Sequence, residues 1–188
     1  MPLVGVLALQ GDFREHSAAL DRLGVQIRLV RHPEDLEEVR AIVIPGGEST
    51  TIGRLARRHG LVDGLRSSID EGLPTLGTCA GMIFLASRLT TGRQELLEVL
   101  DVTVERNAFG RQNDSFEVDL DVSGLSEPFP GVFIRAPRVE KVGGGVDVLA
   151  TIGEHPVLVR QDSILAAAFH PELTDDSRIH RLLLEMIG

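Results

Sequence analysis

The sequence contains one cysteine and no tryptophan or tyrosine. A single cysteine cannot form a disulfide within the chain, so nothing in the sequence requires an oxidising compartment, and we expect a cytoplasmic protein. The absence of Trp and Tyr removes the usual platforms on which single-stranded nucleic acid stacks, although seven Phe remain. No apolar run is long enough to cross a membrane, and the opening run, residues 3–9, is too short for the core of a signal peptide.

Clustered positive charge is also scarce. The formal net charge is −9 and no long block of Lys and Arg is present, which argues against a nucleic-acid backbone as the main partner because such contacts need clustered cations. The one basic cluster, residues 54–59, falls on a predicted helix, where a solvated face is the preferred interpretation and contact with a protein partner is the alternative. Six scattered histidines without ligand spacing indicate no metal site. The composition therefore favours a small neutral or zwitterionic substrate.

Short β-branched runs alternate with helix-period segments through the first half of the sequence, which is the pattern of βαβ units. We therefore predict an α/β fold with three layers, in which a mostly parallel central sheet carries helices on both faces. With 188 residues and 43% hydrophobic content, the chain has enough apolar residues for one domain, residues 1–188. The strands predicted in this half are 4–9, 25–30, 41–44 and 73–76, and helices are predicted to begin near Asp12, Pro33, Thr51 and Leu61.

The first helix is predicted to start with a capping box formed by Asp12 and Glu15, and its apolar face includes His16. After a predicted helix at 82–89, the sequence changes to short apolar runs separated by Gly and Pro turns. We expect these runs to be strands that extend the same sheet, and a C-terminal amphipathic helix that begins near Ser177 to pack on it. The strands predicted in this half are 99–104, 116–122, 132–134, 146–149, 157–160 and 164–169.

Cys79 lies in the sequence Gly-Thr-Cys-Ala-Gly, residues 77–81, directly after an apolar stretch and before a helix-like run. Small flanking residues allow the tight turn between strand and helix that exposes a nucleophile. The N-terminal amides of the following helix would then point at the thiolate and stabilise it. A buried, unreactive thiol is the alternative for an isolated cysteine, and the two flanking glycines favour the nucleophile.

A predicted strand far downstream, residues 164–169, runs directly into His170-Pro171-Glu172. A histidine and a carboxylate together can shuttle a proton and fix the imidazole tautomer, as thiolate catalysis requires. Each residue alone has a structural alternative, since His170 can be a hydrogen-bonded histidine at a strand end and Glu172 a helix-capping acid. The combination with Cys79 predicts a catalytic triad in the order nucleophile, base, carboxylate.

Acyl chemistry also needs donors for an oxyanion, and two segments offer backbone amides. One is the turn at Cys79 and Ala80. The other is the segment 46–50 after the third predicted strand, which can equally be a plain loop with a helix N-cap. Arg106 and Arg135 fall at the ends of predicted strands, where α/β folds bind ligands. Either arginine can bind a substrate carboxylate or form a surface salt bridge.

With these residues in view, the whole chain closely resembles the glutaminase subunits of the two-protein pyridoxal 5′-phosphate synthase, which belong to the class I, triad-type glutamine amidotransferases. The Cys-Ala-Gly and His-Pro-Glu sequences identify the superfamily, and Gly-Gly-Glu-Ser-Thr-Thr and Phe-Ile-Arg-Ala-Pro identify the subfamily. The resemblance implies a flavodoxin-like fold. It is carried by residues 9–11, 14–16, 45–51, 77–81, 104–107, 109–112, 132–137 and 169–174.

The resemblance also implies a role for individual residues. Cys79 would attack the side-chain amide of L-glutamine, His170 would pass its proton to the leaving ammonia, and Glu172 would orient His170. Water would then release glutamate from a thioester. The residues implied for glutamine binding are Gly47, Glu48, Ser49, Arg106, Ile134 and Arg135, and those implied for the oxyanion are the amides of Gly47 and Ala80, with Gln10 setting the loop when a partner docks.

A partner is implied as well. The ammonia would pass into a barrel-shaped synthase subunit of the PdxS family within a large hetero-oligomer, and pyridoxal 5′-phosphate would be the product of that partner rather than a cofactor of this chain. Three alternatives stay open. They are the glutaminase subunit of another amidotransferase, such as the one that feeds imidazole glycerol phosphate synthesis, a regulatory subunit that docks without turning over glutamine, and a cysteine peptidase or γ-glutamyl hydrolase that needs no partner.

Overall fold

The computed structural model describes residues 1–106 and 115–188, so the motif segment 109–112 lies outside the described residues. The strands are β1 (Leu3–Leu7), β2 (Gln26–Val30), β3 (Ala41–Ile44), β4 (Thr75–Thr78), β5 (Ala86–Leu89), β6 (Leu100–Glu105), β7 (Ser115–Leu120), β8 (Phe129–Ile134), β9 (Arg138–Val142), β10 (Asp147–Ile152), β11 (His155–Gln161) and β12 (Ile164–Ala167). The helices are α1 (Phe13–Asp21), α2 (Ser49–Arg58), α3 (Leu61–Asp70), α4 (Ala80–Leu85) and α5 (Arg178–Glu185), with 3₁₀ turns at Pro33–Leu36 and Pro171–Leu173. No helix in this described part of the chain is long and apolar enough to cross a membrane.

Seven strands form the central sheet, in the order β10-β11-β12-β4-β3-β1-β2. The strands from β12 to β2 are mutually parallel, and β10 and β11 add an antiparallel edge. This arrangement confirms the predicted α/β fold with a mostly parallel sheet. Strand β3 is buried along its whole length, because helices cover both faces of such a sheet and leave its central strands no solvent side.

Only part of the second half extends this sheet, so the expectation of one continuous sheet is wrong. Strands β5, β6 and β9 form a separate three-stranded sheet, and β7 and β8 pair as a two-stranded one. The separation begins where α4 ends at Leu85, because Ala86 takes an extended conformation and the chain continues as β5 instead of the helix predicted to reach Leu89. The Ser87 hydroxyl supports this change by donating to the carbonyl of Leu100 on β6 (2.8 Å).

The capping box predicted for α1 is also wrong. Asp12 occupies the N-cap position, but in the described structure its side chain accepts no hydrogen bond from the helix. Its backbone amide donates instead to the carbonyl of Gly46 in the loop after β3 (3.0 Å). Its carboxylate turns towards His170, with Oδ2 3.3 Å from Nδ1. A contact between two loops has therefore replaced the local cap.

An aromatic cluster packs the two-stranded sheet against the central sheet. The ring centroid of Phe169 lies 5.6 Å from that of Phe133 and 5.7 Å from that of Phe129, and all three side chains are fully buried. The amide of His170 donates to the carbonyl of Val132 on β8 (2.8 Å). Because large aromatic rings bury much surface in fixed geometry, the cluster holds the segment that follows β12 in place.

Candidate active site

Four loops meet at the carboxyl edge of the parallel strands, where open α/β sheets bind ligands. The loops follow β1, β3, β4 and β12, which are neighbours in the sheet. They carry, in that order, Gln10, Gly47, Cys79 and His170. The strand order thus brings the predicted nucleophile and the predicted base to one edge of the sheet, although they are far apart in sequence.

Cys79 sits on a strained turn between β4 and α4. Its φ of 49° and ψ of −105° lie outside the ordinary regions for an L-residue, as in other nucleophile turns. Close packing explains the flanking glycines: a β-carbon on Gly81 would lie 2.0 Å from the carbonyl oxygen of Ile44, and one on Gly77 would lie 2.9 Å from the backbone of Gly81. The Cys79 thiol lies 3.9 Å from the carbonyl oxygen of Ile134. The turn therefore has the shape that the sequence predicts.

His170 and Glu172 form a buried hydrogen bond, in which Nδ1 of His170 lies 2.7 Å from Oε1 of Glu172. The two residues are 4% and 6% exposed, respectively. Pro171 starts the 3₁₀ turn that lets side chains two residues apart face each other. An ionised carboxylate can only accept, so Nδ1 donates, which leaves Nε2 of His170 to exchange a proton with a thiol or a substrate.

Asp12 is a second carboxylate near the same imidazole nitrogen, and sequence reasoning missed it. Its Oδ2 lies 3.3 Å from Nδ1 of His170. The sequence signal, an acid three residues before Glu15, has a sufficient local explanation as a helix cap. The contact forms only because the loop after β1 meets the loop after β12 in the folded chain.

These contacts set the protonation state of His170. Burial alone would lower its pKa, but hydrogen bonds with Asp12, Cys79 and Glu172 raise that pKa to about 12. Burial raises the pKa of Glu172, and the hydrogen bond from His170 opposes that shift. At neutral pH, the His170 ring therefore holds a proton that it can give to a leaving group.

The loop after β3 is held by the loop after β1. The Glu48 amide donates to the side-chain oxygen of Gln10 (2.8 Å). A β-carbon on Gly11, whose φ is 92°, would lie 1.8 Å from a carbonyl oxygen of the loop after β3, so this crossing requires glycine. Among residues 1–106 and 115–188, the Gly47 amide has no hydrogen-bond acceptor, and Ala80 opens α4, where the first amides have no acceptor within the helix. Both amides are free to bind an oxyanion.

Glu48 and Ser49 occupy the start of α2. The Glu48 carboxylate caps this helix by accepting from the amides of Thr50 (3.0 Å) and Thr51 (2.8 Å). Although burial acts to raise the pKa of Glu48, hydrogen bonds from Thr51 and Thr50 lower it. The hydroxyl of Ser49 donates to Oε1 of Gln94 (3.2 Å). The carboxylate of Glu48 is thus committed to the helix, and its backbone remains to contact a ligand.

Arg106 and Arg135 differ in the hydrogen bonds that their guanidinium groups form. Nη1 of Arg106 donates to Oε1 of Gln94 (3.0 Å) and Oγ1 of Thr50 (3.2 Å), and Gln94 is a residue that sequence reasoning missed. Arg135 is exposed at a φ of 43°, and within the described ranges its guanidinium forms no hydrogen bond or ion pair. Of these two arginines, Arg135 is therefore the one whose charge is available for an anionic ligand.

A cleft of about 470 Å³ opens over these groups, which is a suitable size for a small ligand. Its lining includes every residue predicted for catalysis, oxyanion stabilisation and glutamine binding except Glu172, which lies behind His170. Asp12, Ile83 and Leu173 complete the lining. The cleft thus brings together the groups predicted to act as nucleophile, proton carrier, oxyanion donors and carboxylate-binding cation.

Three side chains in this cluster have the donor types of a metal site. Asp12, His170 and Glu172 place ligand atoms within 4.8 Å of one another. The same spacing is found wherever one histidine bonds to two carboxylates, and Nδ1 of His170 already has a carboxylate partner at 2.7 Å. Independence from metals stays a prediction.

A buried histidine next to this region is expected to make the fold sensitive to acid. His180 of α5 is fully buried, and burial, with the charge of Arg22, lowers its pKa to about 4. Between this value and the ordinary 6.5, the unfolded chain binds a proton that the folded chain does not. The free energy of unfolding should therefore fall by up to about 3 kcal/mol as the pH drops through this window.

Urea unfolding between pH 7 and pH 4 measures this loss. His180→Leu should flatten the dependence of the unfolding free energy on pH, whatever its effect on absolute stability, because it removes one of the titrating groups. His32→Leu, at an exposed histidine, is the control for the substitution itself. Parallel curves for wild type and His180→Leu would contradict this prediction.

Comparison with known proteins identifies the family. The model of the SNO glutamine amidotransferase family matches residues 6–188. Pyridoxal 5′-phosphate synthase subunit PdxT of Thermus thermophilus is 58% identical over 188 residues, which cover 99% of this chain and 98% of that protein. A solved structure of a glutamine amidotransferase is 57% identical, with 98% of both chains covered and a TM-score of 0.95. PurLQS of Thermotoga maritima, at 18% identity, a TM-score of 0.75, and coverage of 100% of this chain and 99% of that one, shares the fold alone. These matches confirm the resemblance seen in the sequence, and the chain belongs to the SNO glutamine amidotransferase family.

Proposed function

We propose that residues 1–188 form one glutaminase domain, which hydrolyses L-glutamine to L-glutamate and ammonia and supplies the ammonia to a synthase barrel of the PdxS family for pyridoxal 5′-phosphate biosynthesis. The observation that carries this proposal is the bond of 2.7 Å between His170 and Glu172, together with the position of His170 and Cys79 in the lining of the same cleft. Membership of the family supports the reaction class. The name of the Thermus relative supports the final product, and the single cysteine supports a cytoplasmic location.

The proposed reaction begins when Sγ of Cys79, as the thiolate whose proton His170 holds, attacks the side-chain carbonyl carbon of glutamine. A C–S bond forms, and the carbonyl electrons move to the oxygen, where the amides of Gly47 and Ala80 each contribute about 3 kcal/mol. His170 then gives a proton to the nitrogen, the C–N bond breaks and ammonia leaves. Water, losing a proton to His170, attacks the remaining thioester and releases glutamate and the thiolate. Glu172 accepts from Nδ1 throughout and stabilises the charged ring.

The cleft also supports binding of the amino-acid end of glutamine. The free guanidinium of Arg135 suits the α-carboxylate, because an arginine can bind a carboxylate through two parallel hydrogen bonds. Ile134, which is 38% exposed, offers apolar contact for the methylene groups. Arg106, already held by Gln94 and Thr50, shapes the wall of the cleft.

Arg135→Ala is expected to raise KM for L-glutamine by about 10- to 100-fold, because a lost hydrogen bond to a charged group costs this much in affinity. The kcat value should change by less than about threefold, since the guanidinium lies outside the reacting atoms. Arg181 is an exposed arginine of α5, and Arg181→Ala should keep the wild-type KM. An unchanged KM in Arg135→Ala would remove this residue from the glutamine pocket.

Dependence on the barrel follows from the chemistry. Free ammonia is lost to water unless hydrolysis is coupled to docking. The loops after β1 and β3 are the natural place for this coupling, because Gln10 holds the Glu48 amide directly beside Gly47. A shift of the β1 loop on docking would reorient the proposed oxyanion donor. We therefore expect the isolated chain to have almost no glutaminase activity.

The test of the proposed function is glutamate release from L-glutamine by the chain alone and with the synthase barrel, using Cys79→Ala as the blank. Strong stimulation by the barrel supports the proposal. Full activity without the barrel would identify a free-standing hydrolase. No glutamate under either condition would identify a regulatory subunit or a different partner, and stimulation only by another synthase would assign the chain to that pathway.

A further inference from the structure

A buried pair of histidines lies behind the triad and takes no part in the reaction described above. His16 of α1 and His180 of α5 are both fully buried. Nδ1 of His16 lies 2.9 Å from Nε2 of His180, and Nε2 of His16 lies 2.9 Å from Oγ1 of Thr78. The same Nε2 lies 3.3 Å from Oε2 of Glu172. His16 thus contacts both the residue before the nucleophile and the carboxylate of the triad.

The contact between His16 and Glu172 is important because it bears on whether the Glu172 carboxylate is ionised. Oε1 of Glu172 bonds to His170, whereas Oε2 is buried and, within the described residues, has no hydrogen-bond partner of normal geometry. Burial without a donor favours the neutral acid, and a neutral Glu172 would not stabilise a charged His170. The site therefore needs an N–H dipole beside Oε2, and the ring of His16 is positioned to supply one.

Both histidines are neutral near pH 7. Burial lowers the pKa of His16, and any positive charge on His180 or His170 acts in the same direction. Burial also lowers the pKa of His180 to about 4. A neutral imidazole has one N–H donor and one acceptor nitrogen, so the two tautomers of His16 can be compared by the contacts that each one makes.

A proton on Nδ1 of His16 creates two conflicts. That N–H would donate to Nε2 of His180, so the proton of His180 would lie on its Nδ1, which is buried and has no partner among the described residues. A buried N–H without an acceptor is costly. The lone pair on Nε2 of His16 would also face Oε2 of Glu172 at 3.3 Å, where two electron-rich atoms repel.

A proton on Nε2 of His16 removes both conflicts. Nε2–H of His180 then donates to Nδ1 of His16. Nε2–H of His16 can donate to Oγ1 of Thr78 at 2.9 Å, and its positive end also faces Oε2 of Glu172 at 3.3 Å. The atom left without a partner is an acceptor, Nδ1 of His180, and unpaired acceptors are tolerated better than unpaired donors. The donors therefore run in one direction, from His180 through His16 to Glu172.

We propose that His16, held as its Nε2–H tautomer by His180, is a positioning residue that keeps Glu172 ionised and directed at His170. This inference rests on the proposed function, in which Glu172 orients and stabilises His170. His16, the histidine of the Arg-Glu-His sequence in α1, would thus have a functional role. From the sequence, that histidine is predicted only to belong to an apolar helix face.

Nitrogen-15 NMR of the full chain with labelled histidine tests the tautomer directly. We expect Nε2 of both His16 and His180 to carry the proton and Nδ1 of both rings to be bare. His16→Gln and His180→Asn assign the two sets of signals by their loss. A proton on Nδ1 of His16 would overturn the proposal. This measurement needs no turnover, so it stands apart from any test of glutaminase activity.

Kinetics of the chain with the synthase barrel test the consequence for catalysis. His16→Leu removes the donor and should lower kcat by about 10- to 100-fold, the effect of losing a hydrogen bond to a charged group. KM should stay within about twofold, because His16 does not touch the cleft. His16→Gln retains a side-chain N–H donor and should recover most of the loss. His32→Gln is the matched surface control and should behave as wild type.

The outcomes separate a positioning role from a packing role. Equal losses of kcat in His16→Leu and His16→Gln, or a change confined to KM, would show that His16 acts only in packing and would overturn the proposal. If His16→Leu fails to fold, His16→Met serves as the variant without a donor. No glutamate release by wild type with the barrel would count against the proposed function instead, and the NMR result would still decide the tautomer of His16.

Discussion

Cys79→Ala is expected to reduce glutamine hydrolysis by the chain with its barrel by about 10⁴- to 10⁶-fold, the range seen when a covalent nucleophile is removed. Cys79 is the only cysteine of the chain, so no second thiol can replace it. His170 and Glu172 stay in place in this variant, but they have no nucleophile to assist. Glutamate release by wild type and variant under the same conditions measures the loss.

The fold and the docking of Cys79→Ala should be unchanged. Alanine keeps the β-carbon that already tolerates a φ of 49°, and the residue is 7% exposed. The free energy of unfolding should therefore change by about 1 kcal/mol or less. A folded variant that no longer binds the barrel would show a role for Cys79 beyond catalysis. A variant that still releases glutamate would exclude Cys79 as the nucleophile.

Gly81→Ala is expected to lower Tm by about 4–8 °C and activity by about 100-fold. The new β-carbon would lie 2.0 Å from the carbonyl oxygen of Ile44. This oxygen belongs to the buried strand β3 and cannot move cheaply, so the overlap costs about 3 kcal/mol. The higher helix propensity of alanine recovers about 1 kcal/mol. The overlap dominates, and α4 moves away from β3 together with Cys79.

Gly144→Ala is the matched control for this prediction. A β-carbon on Gly144 meets no atom within 4 Å, and its φ is not positive. The same chemical change should therefore leave Tm within about 2 °C of wild type and leave activity unchanged. Thermal unfolding and glutamate release, measured on both variants, test whether the two substitutions differ in their effects. Equal behaviour of Gly81→Ala and Gly144→Ala would show that the close approach of α4 to β3 is not required.

The parallel part of the fold could be predicted from sequence because its strands are buried on both faces. The predicted strand 41–44 coincides with β3, Ala41–Ile44, since a short apolar run before a proline has no competing interpretation. Strand β9, Arg138–Val142, was not predicted, because its sequence is mostly charged and only its pairing with β6 makes it a strand. Strand β5 was predicted as helix for a related reason, since Ala86 and Leu89 are good helix formers.

The residues of the candidate site also differ in whether the sequence could predict them. Cys79, His170 and Glu172 could be predicted because each follows a recognisable strand and belongs to a short sequence with a chemical meaning. Asp12 and Gln94 could not, because their contacts form between loops that are distant in sequence. The sequence near Asp12 predicts a helix cap, but in the structure the Asp12 carboxylate contacts His170 instead of the helix amides.

Labelling with a glutamine analogue that carries a reactive diazoketone in place of the amide tests the central claim most directly, because such a group forms a stable bond with an attacking thiolate. In the complex with the barrel, we expect one analogue per chain, located by peptide mass spectrometry on Cys79. Excess L-glutamine should protect the residue, and glutamate release should stop as labelling proceeds. Labelling at another residue, or full activity of a chain labelled on Cys79, would contradict the assignment of Cys79 as the glutaminase nucleophile.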